Sequence, residues 1–211
     1  MPVAAGLIAV GALVGALVLP LDPSAQQLAL RLAGPSWGHP MGLDELGRDI
    51  LARVFVGARV SMAVGMTVVS ISAVIGSVLG TVAGYRGGIV DAVVGRLTDV
   101  VIAFPGLLLA IALVAVLGPS VVHVVVALTL IGWVGYARVA RGLVLRAREL
   151  DYVRAAEGAG AGPWHVVRHH LAPAVIPAMI VQATLGLGGA MLSEASLSFL
   201  GLGVQPPGVR D

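Results

Sequence analysis

The chain has 211 residues, of which 58 % are hydrophobic and only 11 % carry a formal charge, and its mean hydropathy is +0.98. Soluble domains have about 25 % charged residues, so this composition excludes a water-soluble globular protein and predicts an all-α polytopic membrane bundle. The net charge of +2 provides no electrostatic footprint for nucleic acid, and the lack of cysteine excludes a disulfide framework and thiolate metal sites.

The amino-terminal run predicts a transmembrane anchor over residues 1–21. Val3 to Leu19 is an uncharged stretch of 17 residues, close to the roughly 20 needed to cross a bilayer. A cleaved signal peptide is the competing interpretation. However, the chain starts Met-Pro with no basic region, and no clear small-x-small cleavage site follows. We therefore expect a retained span.

Residues 22–59 form the longest polar stretch and are predicted to be an extracytoplasmic segment. Its second half, HPMGLDELGRDILARVFVGAR, predicts an amphipathic helix, because Leu43, Leu46, Ile50 and Val54 recur at helical spacing. Such a helix either lies in the membrane interface or packs on the next span, and the pattern leaves both alternatives open.

Four further spans are predicted along the rest of the chain. Val60 to Gly84 forms the second span and is followed by a short loop over residues 86–99. Val100 to Ala137 holds 38 residues without a formal charge, too many for one crossing of about 20 residues. A Gly-Pro-Ser turn at 118–120 divides this run into a hairpin of two spans. Ala174 to Leu192 forms the fifth span.

A basic, helix-prone island lies between the last two spans, over residues 138–173. Arginine near a span end resists translocation, so we expect the island and loop 86–99 in the cytoplasm and segment 22–59 outside. The island has more helical character than a simple connection needs, which predicts a docking surface for a cytoplasmic partner. Its six arginines and three acids are Arg138, Arg141, Arg146, Arg148, Arg154, Arg168, Glu149, Asp151 and Glu157.

Five segments, taken in order from His39 to Pro207, resemble one known family. They are HPMGLDELGRDILARVFVGAR, AGYRGGIVDAVVGRLTDVVIAFPGLLLAI, YARVARGLVLRARELDYVRAAEGAGA, RHHLAP and EASLSFLGLGVQPP. The chain resembles the inner-membrane permease subunits of ABC importers, in particular the C-type subunits of the dipeptide, oligopeptide and nickel group. This resemblance implies a type I importer permease architecture, with a permease domain over residues 60–211 whose last span is absent.

The resemblance gives the arginine island a specific role. The family carries a cytoplasmic motif, EAA followed by glycine and I-x-L-P, which here corresponds to Arg154-Ala155-Ala156, Gly160 and residues 170–173. The resemblance implies that this element is a coupling helix seated in a groove of the ATPase. Arg154 stands where the motif has glutamate, and Ala172 where it has leucine. The alternative is a solvated amphipathic connector. The implied interface comprises Tyr152, Arg154, Ala155, Ala156, Glu157, Gly160, Ala161 and Gly162.

The same resemblance implies the partners and the cargo. They are a homologous permease subunit, two cytoplasmic ATP-binding subunits and an extracytoplasmic substrate-binding protein, assembled in the lipid of the cell membrane. The implied cargo is peptides, with nickel and glutathione as alternatives. No phosphate-binding G-x-x-x-x-G-K-[ST] loop or catalytic constellation occurs, so we expect no enzymatic activity, cofactor or metal in this chain.

Glu194, an acid near the end of the fifth span, is a candidate translocation-path residue, because intramembrane acids are usually functional. The alternative is an interfacial carboxylate that holds the following SLSFLGLG segment. A rival function also stays open, a truncated membrane assembly protein that does not transport, because the family continues beyond the QPP segment into a sixth span.

Overall fold

The computed structural model describes residues 22–203, which form two compact units, residues 22–63 and residues 64–203. The predicted anchor, Val3 to Leu19, and the QPP segment lie outside the described residues. Among the described residues, the secondary structure is helical apart from a single β-bridge. The predicted all-α class is therefore confirmed.

Residues 22–49 form a looped segment held by backbone hydrogen bonds, with one 3₁₀ turn over Leu28–Leu30. The Gln27 N–H donates to the Gly47 carbonyl at 3.1 Å. Leu43 is buried and forms the β-bridge with Asp49. The amphipathic helix predicted from residue 39 is therefore wrong as far as residue 49, and helix α1 begins only at Ile50.

Short acidic side chains explain why residues 39–49 are not helical. An Asp44 oxygen accepts hydrogen bonds from the backbone N–H groups of Leu46, at 2.8 Å, and Arg48, at 3.0 Å. Such local bonds compete with the helical ladder. Gly47 has φ +67°, outside the right-handed helical region. Asp49 then accepts the Ala52 N–H at 3.1 Å and caps the start of α1.

Asp44 also holds two arginines of this unit. Its other carboxylate oxygen accepts from Arg48 Nε at 2.8 Å and from Arg53 at 2.5 Å. Burial raises the pKa of Asp44, but the hydrogen bonds from the Arg48 and Leu46 backbones and from the Arg48 side chain outweigh burial and hold that pKa far below its usual range. The ionised carboxylate is therefore the form that this segment stabilises.

Three helical runs are long and apolar enough to cross a membrane: Ile50–Arg86, Val121–Ala147 and Pro163–Phe199. The first is α1. The predicted spans 60–84 and 174–192 lie within the first and third of these runs. The arginine island is not a separate connection at its start, because the second run continues through Arg138, Arg141 and Arg146.

The region between α1 and the second run differs from the prediction. Residues 86–99 are mostly helical rather than a loop, since α2 covers Gly88–Ile102. Helix α3 covers only Gly106–Leu117 and is bent from α2 by 83°. Pro105 explains the break, because proline lacks an N–H and its ring disfavours helical backbone at the preceding residue. The predicted first half of the hairpin is thus a bent pair, either a broken span or a re-entrant segment.

The predicted Gly-Pro-Ser break is confirmed. Gly118 ends α3 with φ +88°, and the Ser120 hydroxyl caps α4, Val121–Ala147, by accepting the His123 N–H at 3.3 Å. After α4 come α5, Asp151–Gly158, and α6, Pro163–Val166. One π-helical turn, Val167–Leu171, leads into α7, Ala172–Phe199.

Helix α4 is the centre of the unit formed by residues 64–203, and α2, α3 and α7 all contact it. Helix α1 approaches α4 through glycine. A Cβ at Gly76 would lie 2.3 Å from the Trp133 carbonyl oxygen, and one at Gly80 would lie 2.3 Å from that of Ala137. Small residues allow this close approach. The resulting van der Waals contacts hold the helices together, because lipid provides no hydrophobic driving force for their association.

We predict that Gly80→Ala destabilises the protein. The added methyl meets α4 backbone, which cannot move aside as a flexible side chain would, and overpacking of this kind costs about 1–3 kcal/mol. The midpoint of thermal unfolding of the purified protein in detergent should fall by several degrees.

Gly142→Ala is the matched control, because no atom of the described part of the chain lies within 4 Å of a Cβ at this α4 position. Alanine has the higher helix propensity, so the control should be neutral or stabilising. Equal effects of the two substitutions would show that α1 does not approach α4 as described.

We also predict that Asp44→Ala opens residues 44–48, whereas Asp44→Asn opens them less, because asparagine keeps an oxygen acceptor for the two backbone N–H groups. Backbone hydrogen exchange followed by mass spectrometry measures this difference. A depressed pKa means that the carboxylate stabilises the folded segment above its unfolded pKa of about 3.9 and loses this effect at lower pH. Protection in the wild type should therefore be constant from pH 7 to about 4 and fall below that; identical exchange in all three proteins would contradict the assignment.

Candidate coupling surface

The segment predicted to couple is a short helix with a sharply defined end. Helix α5 covers Asp151–Gly158, and Gly160 follows it with φ +87°. The Gly160 N–H donates to the Glu157 carbonyl at 2.9 Å, and the Ala161 N–H to the Ala156 carbonyl at 3.0 Å. This pair of bonds is a Schellman ending, which favours glycine because of its left-handed backbone. Gly160 therefore ends α5 in a sharp turn.

One buried side chain anchors α5 to the rest of its unit. Val153 is fully buried in a hydrophobic cluster that also contains Val166 and Leu171. This cluster, the anchor cluster, connects α4, α5, α6, the π-helical turn and α7. Its buried members are Tyr136, Ala140, Val144, Ala147, Val153, Val166, Leu171, Val175 and Met179.

A hydrogen bond attaches α5 to the end of α1. The Tyr85 hydroxyl donates to a Glu157 carboxylate oxygen at 2.9 Å, across 72 positions of sequence. Nearby, Arg148 Nη1 donates to the Gly84 carbonyl at 3.0 Å and satisfies one of the last carbonyls of α1. Neither Tyr85 nor Val153 was a sequence-predicted site residue. Only a pairing between distant segments would have indicated them.

The eight residues of the predicted interface lie together on α5 and the turn after it. Six of them are exposed: Tyr152, Arg154, Ala155, Glu157, Gly160 and Gly162. Ala156 and Ala161 are half-buried, so Ala155 is more accessible than Ala156. Trp164, 73 % exposed, follows on α6.

The arginine that departs from the family motif has a partner within the chain. Arg154 donates from its guanidinium to Glu149, which also accepts from Arg148 Nε at 3.3 Å. The hydrogen bond from Arg154 lowers the pKa of Glu149. Both Arg154 and Glu149 are more than half exposed, so this pair contributes little stability. Its effect is to hold the guanidinium against the start of α5.

A second ion pair joins α2 to α4. Arg141 donates to both carboxylate oxygens of Asp91, with Nη2 to Oδ2 at 2.6 Å. The two partners lie 50 positions apart in the sequence. A bidentate arginine also fixes the relative orientation of the two helices.

The remaining candidates lie elsewhere in the structure. Glu194 is 3 % exposed on α7 and accepts a hydrogen bond from Ser198 at 2.9 Å, within the segment it was expected to hold. Its role in a translocation path stays a prediction. The rings of His165 and His169 stack at 4.2 Å. Within residues 22–203, no group of three metal-ligating side chains is placed to hold an ion.

Comparison with known proteins decides the family. Residues 76–209 match the family described as binding-protein-dependent transport system inner membrane component. The chain belongs to this family. The match confirms the resemblance stated above, and it agrees with a multi-pass protein of the inner membrane.

Curated relatives extend this result. The chain is 43 % identical over 186 residues to a probable D,D-dipeptide transport system permease protein of Escherichia coli (88 % of this chain, 62 % of the relative). It is 41 % identical to a dipeptide transport system permease protein of Bacillus subtilis (93 % and 61 %). It is 42 % identical to a glutathione transport system permease protein of Pectobacterium atrosepticum (82 % and 58 %). The chain thus spans about three fifths of the length of these relatives.

We predict that Arg154→Glu loosens the start of α5, because it places a second carboxylate beside Glu149. The double change Arg154→Glu with Glu149→Arg should restore the pair with reversed signs. Hydrogen exchange of residues 150–157 should rise severalfold in the single variant and return towards the wild type in the double. An equal rise in both variants would mean that the pair does not hold this helix.

Proposed function

We propose that this chain is the permease subunit of an ABC importer and forms half of a translocation path for peptides, energised by separate ATPase subunits. The observation that carries the proposal is the position of α5. This helix is exposed along the side that carries Tyr152 and Ala155, and it is held by Val153 in the anchor cluster shared with α4 and α7. If a partner docks on this surface helix and displaces it, the displacement can be transmitted to both α4 and α7.

The contacts of α5 suggest how its displacement would be transmitted to the long helices. Val153 moves with the anchor cluster, because close-packed interiors transmit displacement instead of absorbing it. The Tyr85–Glu157 hydrogen bond adds a connection to α1. Three long helices are therefore attached to α5, two through Val153 and one through Glu157. This arrangement suits rigid-body rocking between two packings, as alternating access requires.

The proposed assembly has two such permease halves. A homologous permease subunit completes the path, two cytoplasmic ATP-binding subunits dock on the α5 surfaces, and an extracytoplasmic binding protein delivers the cargo. In this arrangement residues 1–21 form an anchor, residues 22–59 an extracytoplasmic segment and residues 60–211 the permease domain. The concentration of arginine in the island supports placing α5 on the cytoplasmic side.

Peptides are the proposed cargo, because two of the relatives above are named for dipeptide transport. Glutathione is the second candidate, since another relative is named for it. Glutathione is itself a tripeptide, so both candidates share amide groups and free carboxylates. The nickel alternative has no comparable support from these relatives or from a metal-ligating group within residues 22–203.

The docking role is tested by Ala155→Asp. A charge placed on the exposed face of α5 would have to lose its water against the ATPase, which is costly without a partner. We expect co-purification of the ATP-binding subunit to fall at least tenfold while insertion into the membrane is unchanged.

Ala25→Asp is the matched control, since Ala25 is also exposed and lies in the segment proposed for the opposite side of the membrane. It should leave co-purification at the wild-type level. Wild-type co-purification with Ala155→Asp would place the docking surface elsewhere. The transport role itself is tested by ATP-dependent uptake of a radiolabelled dipeptide into vesicles that contain the full assembly; uptake equal to that of vesicles lacking this chain would contradict it.

A further inference from the structure

A cavity of about 260 Å³ lies among the helices of the unit formed by residues 64–203. Helices α1, α3, α4 and α7 all contribute to its wall. Most of the wall is apolar or glycine, but four polar side chains also line it: Ser72 from α1, Tyr136 from α4, and Gln182 and Ser193 from α7. Among residues 22–203, none of those that line it is charged.

Two of these side chains are buried hydroxyls without a partner. Ser72 is 1 % exposed and Tyr136 is 4 % exposed. Neither hydroxyl oxygen has a hydrogen-bond partner among residues 22–203. Each hydroxyl can donate one hydrogen bond and accept others. Leaving such a group unpaired in an apolar interior is costly, so nearly all buried polar groups in folded proteins are paired.

Glycine keeps both hydroxyls in the wall. A Cβ at Gly132 would lie 2.7 Å from the Ser72 oxygen, and a Cβ at Gly186 would lie 2.5 Å from the Tyr136 oxygen. Any larger residue at either position would have to displace the hydroxyl. The other two polar side chains differ in what they offer. Ser193 already donates to the Gly189 carbonyl at 2.9 Å, whereas a glutamine amide offers both donors and an acceptor.

The size and chemistry of the cavity select its ligand. A water molecule takes about 30 Å³ in the liquid, so the space is sufficient for several waters or for one peptide-sized group. The lack of charged lining disfavours an ion, because a buried charge needs a partner. A lipid acyl chain has no hydrogen-bonding atoms and would leave both hydroxyls unpaired.

We propose that this cavity is a binding site for a small neutral group that both donates and accepts hydrogen bonds, held by Ser72, Tyr136 and Gln182. Water and the peptide amide of the cargo share this chemistry. The peptide source rests on the function proposed above, whereas the water source does not. In both cases the site lies within one subunit, among the helices that are proposed to rock.

Deleting each hydroxyl tests the proposal. Tyr136→Phe and Ser72→Ala keep the packing and remove only the polar atom, so neither is expected to prevent folding. If a ligand is bound, each loses a hydrogen bond, and the midpoint of thermal unfolding in detergent should fall by several degrees. If the site is dry, each removes an unpaired polar group, and the midpoint should stay constant or rise, which would overturn the proposal.

Thr129→Val is the matched control. The Thr129 hydroxyl is likewise buried without a partner among the described residues, but it does not line the cavity. Its replacement should therefore leave the unfolding midpoint constant or raise it. A fall equal to that of the two cavity variants would also overturn the proposal, because loss of a buried hydroxyl would then lower the midpoint without any ligand.

A neutral probe separates the two sources. N-acetylalanine N-methylamide carries two amide groups and no charge. If the peptide amide is the ligand, millimolar probe should raise the unfolding midpoint of the wild type and leave the two cavity variants unchanged. A fall in the two variants without any probe effect assigns the site to water. If the full assembly with the wild-type chain shows no dipeptide uptake while both cavity variants still lower the unfolding midpoint, that result contradicts the proposed function but leaves the water site supported.

Discussion

The close approach of α1 to α4 is the constraint on which the rest of the unit formed by residues 64–203 depends. Lipid gives helices no hydrophobic reason to associate, so contact has to come from close van der Waals packing and hydrogen bonds. Gly76 and Gly80 bring α1 against the α4 backbone. With α1 in this position, Tyr85 reaches Glu157, Arg148 reaches the Gly84 carbonyl, and Ser72 reaches the cavity wall.

Helix α4 contributes side chains to two buried clusters of this unit, one near its middle and one towards its end. In its middle, Trp133, Val134 and Ala137 form a buried group with Leu79 of α1 and Val101 of α2 packed against it. Towards its end, four residues belong to the anchor cluster that holds α5: Tyr136, Ala140, Val144 and Ala147. Tyr136 belongs both to the anchor cluster and to the cavity wall, so the cavity and the candidate coupling surface are parts of one packed structure.

Charge has a different role in this chain from that in a soluble protein. Few charged residues are present, and some of those in the second unit join helices or hold a helix end. Asp91 and Arg141 connect α2 with α4, and Glu149 and Arg154 hold the start of α5. Arg154, which stands where the family motif has glutamate, takes part in an internal ion pair.

The amino-acid sequence by itself determined the class, the long apolar helices and the Gly-Pro-Ser break. These features follow from composition, run length and local backbone preference, which act over a few residues.

Tertiary structure decided what depends on distant or competing contacts. Asp44 and Gly47 overrode helical periodicity before Ile50, because local hydrogen bonds and a left-handed backbone outweigh a weak pattern. Pro105 and the packing of α2 on α4 turned a predicted span into a bent pair. The Asp91–Arg141 pair and the Tyr85–Glu157 bond each join residues at least 50 positions apart, and the two cavity hydroxyls also come from helices distant in sequence. Local sequence patterns carry no information over such separations.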